Sequence, residues 1–153
     1  MAWNSYPSNS IYDFVEDATL SGHMAQLRLF FSEHFDGKNK CARLIGLSGL
    51  GKTRLALETF KPPEDANDDK IQQYLSDSVI YVDGSTIDHG RLINSVRTWR
   101  TERLNGILVV DDCDYELHNK LAEEITHPES RFSLLTLDFN PEEVREHQDT
   151  DRP

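Results

Sequence analysis

Residues 43–60, RLIGLSGLGKTRLALETF, set three glycines between an apolar run and a helix-like run. Glycine weakens the interior of both helices and strands, so this spacing marks a place where bare backbone is required. Gly46, Leu47, Ser48, Gly49, Leu50, Gly51, Lys52 and Thr53 match the pattern G-x-x-x-x-G-K-[ST] at every position. The pattern suits a polyphosphate. Consecutive backbone N–H groups cradle it, and Cβ atoms at Gly46, Gly49 or Gly51 would block the close approach. The helix that follows points its N-terminal N–H groups and positive dipole end at the phosphates. Lys52 adds a full charge for the β and γ phosphates, and the Thr53 hydroxyl is a ligand for Mg²⁺. Arg54, directly after the motif, joins the candidate nucleotide contacts. The competing explanation is a plain tight turn, but an apolar run before and a helix-like run after are the context the motif requires.

Residues 105–112, NGILVVDD, are the most β-like run of the chain. An apolar strand here delivers Asp111 and Asp112 to its C-terminal end, where ligands bind in open parallel sheets. Asp111 is assigned to Mg²⁺ through water, and Asp112 to polarising an attacking water. Alone, such a pair would read as ordinary residues after a strand. Agreement with the complete loop upstream favours the chemical reading.

The rest of the chain alternates. Residues 1–10 are polar with a proline and are expected to form a flexible arm. Residues 11–35 read as a lead-in segment and then a helix, with Leu20, Met24, Leu27 and Phe31 at helical spacing beside Phe30. A short strand over 41–47 precedes the glycines. The next helix carries Leu55, Ala56 and Leu57 and is stopped by Pro62–Pro63. Residues 62–70 read as an acidic loop. A second strand spans 78–84, and a helix over 88–103 follows with Leu92, Ile93, Val96 and Trp99 on one face. After the third strand, Asp114 caps a helix with the stripe Leu117, Leu121 and Ile125. A fourth strand covers 131–139, and 141–153 is an acidic tail with little to bury. Alternating units with continuous apolar strands predict an α/β fold, a parallel sheet of about four strands with helices on both faces, over residues 11–140.

The 153 residues suit one domain. Sixteen basic residues against 27 acidic ones leave a formal charge of -11, which excludes binding nucleic acid or an anionic membrane through bulk charge. A backbone anion site remains open, since it needs no net positive charge. No apolar run approaches the ~20 residues that span a bilayer, and the first ten residues lack the secretory pattern. Cys41 and Cys113 are therefore expected as reduced thiols in a cytoplasm. Neither they nor the six histidines show metal-ligand spacing.

Lesser candidates read mainly as structure. Asp83, at the end of the second strand, reads first as a turn residue. Thr136 and Asn140, at the end of the fourth, stand where a polar group senses a γ-phosphate. Arg97, Arg100 and Arg103 read as a solvated face, with an arginine finger in trans as the sharper alternative. Trp99 reads as core, and His118 and His127 read as surface groups.

Taken together, GLSGLGKTRLALETF and ILVVDDCD resemble the STAND class of P-loop NTPases, which includes the NB-ARC and NACHT families, and SLLTLDFN resembles its sensor strand. The resemblance covers roughly residues 11–140. It implies ATP or ADP binding with Mg²⁺, used as a switch for oligomer assembly, often in bacterial antiviral defence or stress sensing. It also implies adenine contacts from the segment around Asp13–Asp17, with Phe14 and Val15 to be tested. Partners would be self-association or the remainder of a larger protein. Two departures stand out. Asp138-Phe139-Asn140 replaces the arginine that often ends the sensor strand. The class also has a sheet of five strands in the order 5-1-4-3-2 followed by helical lids, whereas the fourth is the last β-like run here. The first strand is then expected to have an open edge, the chain to be a piece of a larger protein, and turnover to be slow or absent. Alternatives are an AAA+ ATPase or a small-molecule kinase, which would need an arginine-rich lid where 113–131 reads as an amphipathic helix, and a non-catalytic interaction module.

Overall fold

The computed structural model describes residues 3–6, 11–15, 20–45, 49–65 and 69–138, with the backbone alone at 3–6, 11–15, 20–23 and 49–52. The described elements run β1 (Trp3–Tyr6), β2 (Ile11–Val15), α1 (Leu20–Phe35), β3 (Cys41–Ile45), α2 (Gly49–Thr59), α3 (Lys70–Ser78), β4 (Val79–Asp83), α4 (His89–Thr101), β5 (Asn105–Asp111), α5 (Tyr115–Ile125) and β6 (Arg131–Asp138). They build one sheet in the order β1-β2-β3-β6-β5-β4. The four strands expected from sequence are β3, β4, β5 and β6, all parallel. Their order, 1-4-3-2 when numbered from β3, is the corresponding part of the expected order.

Three expectations are corrected. The outer side of β3 is not open: β2 pairs with it in parallel, Ile11 opposite Cys41 and Val15 opposite Ile45. Part of the expected arm, Trp3–Tyr6, is a strand antiparallel to β2. Ile11, Tyr12, Phe14 and Val15 of β2 are strong strand formers. Their pairing depends on the crossover through α1, a long-range event with no local signal. Third, the loop after Pro63 gives way to α3 at Lys70, started by Asp69, whose side chain accepts from the Gln72 N–H. The tail beyond Asp138 lies outside the described residues.

Both faces of the sheet are covered. Leu27 and Phe31 of α1, Leu55 and Ala56 of α2, and Leu75 of α3 pack on Leu44, Val109 and Leu137. Leu92 and Val96 of α4, and Leu117, Leu121 and Ile125 of α5, pack on Leu108, Val110 and Leu134. Successive β5 residues thus serve opposite faces, which is why that strand is continuously apolar. Trp99 stacks on Phe132 with ring centroids 4.9 Å apart. Of the apolar residues of α2, Leu55 and Ala56 are buried and Leu57 is exposed. Arg97 and Arg100 are not merely solvated: both pair with Glu124 of α5, each at 2.7 Å.

The direction of α2 is set from its far end. The last carbonyls of a helix have no intrahelical partner. Here Arg28 of α1 donates to the Glu58 and Thr59 carbonyls at 2.8 and 3.1 Å. Gln72 of α3, itself buried, donates to the Thr59 and Lys61 carbonyls at 2.9 and 2.8 Å. With this end anchored, the N-terminus of α2 points at the C-terminal edge of the sheet.

At the opposite edge, His34 is buried between two polar partners: Nδ1 lies 2.7 Å from Ser133 Oγ and Nε2 lies 2.7 Å from Asn105 Oδ1. The Tyr74 hydroxyl donates to the same Asn105 oxygen, and the Lys40 N–H donates to Ser133 Oγ. Burial is the main cause that holds the His34 pKa below its ordinary value.

Candidate functional site

Residues 58 positions apart in sequence meet where α2 approaches β5. Thr53, in the first turns of α2, donates its hydroxyl to Asp111 Oδ2 at 2.8 Å. Asp111, the last residue of β5, accepts the Asp112 N–H on Oδ1 at 2.9 Å. Both carboxylate oxygens are thereby oriented. Asp112 departs from the strand into the left-handed region, with φ 48°. Aspartate tolerates that region better than most residues. The turn leaves the Asp112 side chain exposed beside its half-buried neighbour, so the pair presents one fixed and one open carboxylate.

Gly84 supports this turn from β4. Its N–H donates to the Asp111 carbonyl at 2.7 Å. A Cβ at position 84 would meet the Asp112 and Asp111 carbonyl oxygens at 2.7 and 2.9 Å. Only glycine lets the loop after β4 lie this close. Asp83 is a turn residue, as read from sequence: its carboxylate accepts from the Ser85 hydroxyl at 2.7 Å and N–H at 3.0 Å, which hold its pKa low. A cleft of about 260 Å³ opens beside Thr53, Tyr81, Asp83, Asp111 and Asp112, floored by Ala56 and Val109.

The remaining phosphate-loop positions divide. Gly46, Leu47 and Ser48 lie outside the described residues. Gly49, Leu50, Gly51 and Lys52 form the first turn of α2, described by their backbone. Arg54 is exposed. Phe14 and Val15 lie in β2, in register with Leu44 and Ile45, so that Val15 reaches the level where β3 ends; their side chains lie outside the described residues, as does Asn140. Among the described residues no group of three or more His, Cys, Asp or Glu side chains could hold a metal. The acidic edge is not a closed metal cage. A hydroxyl and one carboxylate, with water and phosphate oxygens completing the set, do suit Mg²⁺, which keeps much of its hydration.

Beneath this edge lies a buried network that the apolar reading of residues 41–47 missed. Arg43, at the centre of β3, is fully buried. Its Nη1 donates to the Cys113 carbonyl at 2.9 Å and Thr136 Oγ1 at 3.0 Å, and its Nη2 lies 3.3 Å from Asp138 Oδ2. Thr136 is also fully buried, and its hydroxyl lies 2.7 Å from His118 Nδ1. Two readings change. Thr136 faces α5 rather than standing ready for a γ-phosphate, because the parallel register puts it beside Arg43. His118 is a buried partner and not a surface group. The available signals were an arginine inside an apolar strand and a histidine directly after Leu117 of the buried stripe. Cys41 and Cys113 are both buried and no disulfide joins them. Burial pushes Cys113 up to about 12, which leaves it protonated and unreactive at neutral pH.

Among the described residues no helix is long and apolar enough to cross a membrane. Compared with protein-family models, curated proteins and solved structures, the chain matches none.

Proposed function

We propose that the chain binds a Mg²⁺–nucleoside triphosphate, ATP by its resemblance to STAND ATPases, at the C-terminal edge of its sheet and acts as a nucleotide switch module. The single observation that carries the reading is the Thr53–Asp111 hydrogen bond at 2.8 Å. The hydroxyl that ends the glycine motif and the carboxylate at the end of the β-like run, both expected from sequence at one Mg²⁺ ion, are neighbours in space. Asp111 and Thr53 would hold the magnesium ion, which when bound supplies charge neutralisation of the phosphates. Lys52 and the α2 N–H groups would bind the phosphate oxygens. Asp112, exposed and one residue on, would orient the water whose oxygen bonds to the γ-phosphorus as the bridge to the β-phosphate breaks, leaving ADP and phosphate.

Calorimetric titration with ATP, in Mg²⁺ and in EDTA, tests this. Lys52→Ala is expected to weaken binding by about tenfold or more, the effect of removing a charge-assisted phosphate contact. Thr53→Ala is expected to remove the Mg²⁺ dependence. A Lys52→Ala variant that binds as tightly as the wild type overturns the proposal. Turnover by the chain alone is expected below ~1 s⁻¹, the low end for ordinary enzymes.

A further inference from the structure

An arginine at the centre of a strand buried on both faces is expensive. Such strands read as apolar, and withdrawing a guanidinium from water is costly unless it is paired and its donors are satisfied. An apolar side chain of similar length would fill the same space at no such cost. The chain nevertheless keeps Arg43, and its partners are not scattered. The Cys113 carbonyl belongs to the turn that carries Asp111 and Asp112, and the Cys113 N–H is itself tied to the Leu137 carbonyl at 2.9 Å. Asp138 ends β6 in register with Ile45, the last residue of β3 before Gly46. The Tyr115 ring, at the start of α5, has its centroid 5.9 Å from Arg43 Cζ. One side chain thus joins the strand that leads into the glycine loop, the turn with the acidic pair, and the end of the strand between them.

Charge explains why an arginine is needed. Asp138 is a carboxylate at the same edge as Asp111 and Asp112, where each added negative charge opposes a polyphosphate. Its side chain is 16% exposed, and its Oδ2 faces the Arg43 guanidinium. We infer that Arg43 is a positioning residue for the proposed nucleotide site: it neutralises Asp138 at the phosphate edge and braces the Asp111–Asp112 turn against β6. The inference rests on reading this edge as a Mg²⁺–nucleotide site.

The test is Mg²⁺–ATP affinity of the wild type, Asp138→Asn, Arg43→Lys and Arg43→Met, each measured at a temperature where circular dichroism shows the protein folded. Asp138→Asn removes a negative charge and leaves the guanidinium, so binding should tighten by about threefold or more at low salt and return toward the wild-type value as salt screens the edge. Arg43→Met removes the guanidinium beside Asp138 and should weaken binding by about tenfold or more; adding Asp138→Asn to it should restore most of the loss. Arg43→Lys keeps the charge without the two-armed fork and should fall between. A merely structural arginine would lower the melting temperature of its variants without moving the affinity of the folded protein. It would also give Asp138→Asn no reason to bind more tightly. If Arg43→Met does not fold, Asp138→Asn and Arg43→Lys still decide: affinities for both within about twofold of wild type, well under a tenfold step of 1.4 kcal/mol, overturn the inference. A wild-type chain that binds no Mg²⁺–ATP brings down the site reading itself, a result distinct from a wild type that binds and variants that match it.

Discussion

The strands β3, β5 and β6 end in polar clusters at both edges of the sheet, and the two clusters are built on different principles. At the N-terminal edge His34, Ser133, Asn105 and Tyr74 form a circuit of neutral groups. Asn105 Oδ1 can only accept, so His34 Nε2 carries the proton; Nδ1 then accepts from Ser133, whose oxygen accepts from the Lys40 N–H. The donors and acceptors of this circuit answer one another. At the C-terminal edge the groups are charged. Arg43 lies beneath, Asp111, Asp112 and Asp138 stand along the rim, and Asp112 is open to solvent. A neutral satisfied network specifies packing. A charged one at the carboxyl ends of parallel strands stands where this architecture binds ligands. Position alone does not separate the two ends; the balance of charge does.

The two clusters should differ most in what their loss costs. Arg43→Met should lower unfolding free energy by ~3–5 kcal/mol, the range for removing one member of a buried pair, read from urea denaturation. The same experiment on Ser133→Ala should cost only ~1–3 kcal/mol, the penalty for an unpaired buried neutral group, and should leave Mg²⁺–ATP affinity unchanged. Equal losses at both ends would mean that the two clusters are held by the same kind of interaction.

Gly84→Ala comes next. The added methyl meets two backbone oxygens that cannot swing aside, so ~1–3 kcal/mol of stability should be lost. Because the displaced atoms belong to Asp111 and Asp112, nucleotide affinity should fall with it.

A pH series sharpens the contrast at smaller cost. His34 has its folded pKa below the unfolded value of ~6.5, so below that pH the unfolded chain binds more protons. Its contribution is therefore complete above about pH 6.5 and declines as pH falls below that value through the lowered folded pKa. Protonation would also set a second ring N–H against Ser133 Oγ, which already accepts from Lys40. Glu33 titrates lower, since its hydrogen bond to Lys40 holds it down. Urea midpoints at pH 7.5 and 5.5 should differ for the wild type and differ less for His34→Gln. The smallest effect belongs to the exposed Lys120–Glu116 pair at 3.1 Å: Lys120→Ala should change stability by no more than ~0.5 kcal/mol.

Local signals reached far into this protein. The glycine spacing at 46–51, the apolar run ending in Asp111 and the stripe Leu117–Leu121–Ile125 are each visible in adjacent residues. Strand–helix alternation then leaves few sheets to choose from. The β3, β4, β5 and β6 strands and the pairing of Thr53 with Asp111 were legible for that reason.

Other features depend on residues far apart in the chain, and composition carries no record of such encounters. Nothing near Ile11–Val15 announces that the segment will flank β3, because the partner arrives only after α1 has crossed the sheet. Arg43 passes unremarked inside an apolar strand until Cys113, Thr136 and Asp138 are brought to it, and His118 reads as surface until β6 places Thr136 against it. Secondary structure and motif chemistry follow from periodicity and backbone conformation, which are local. Which polar groups are buried, and therefore which must be paired, is decided only when the strands take their order.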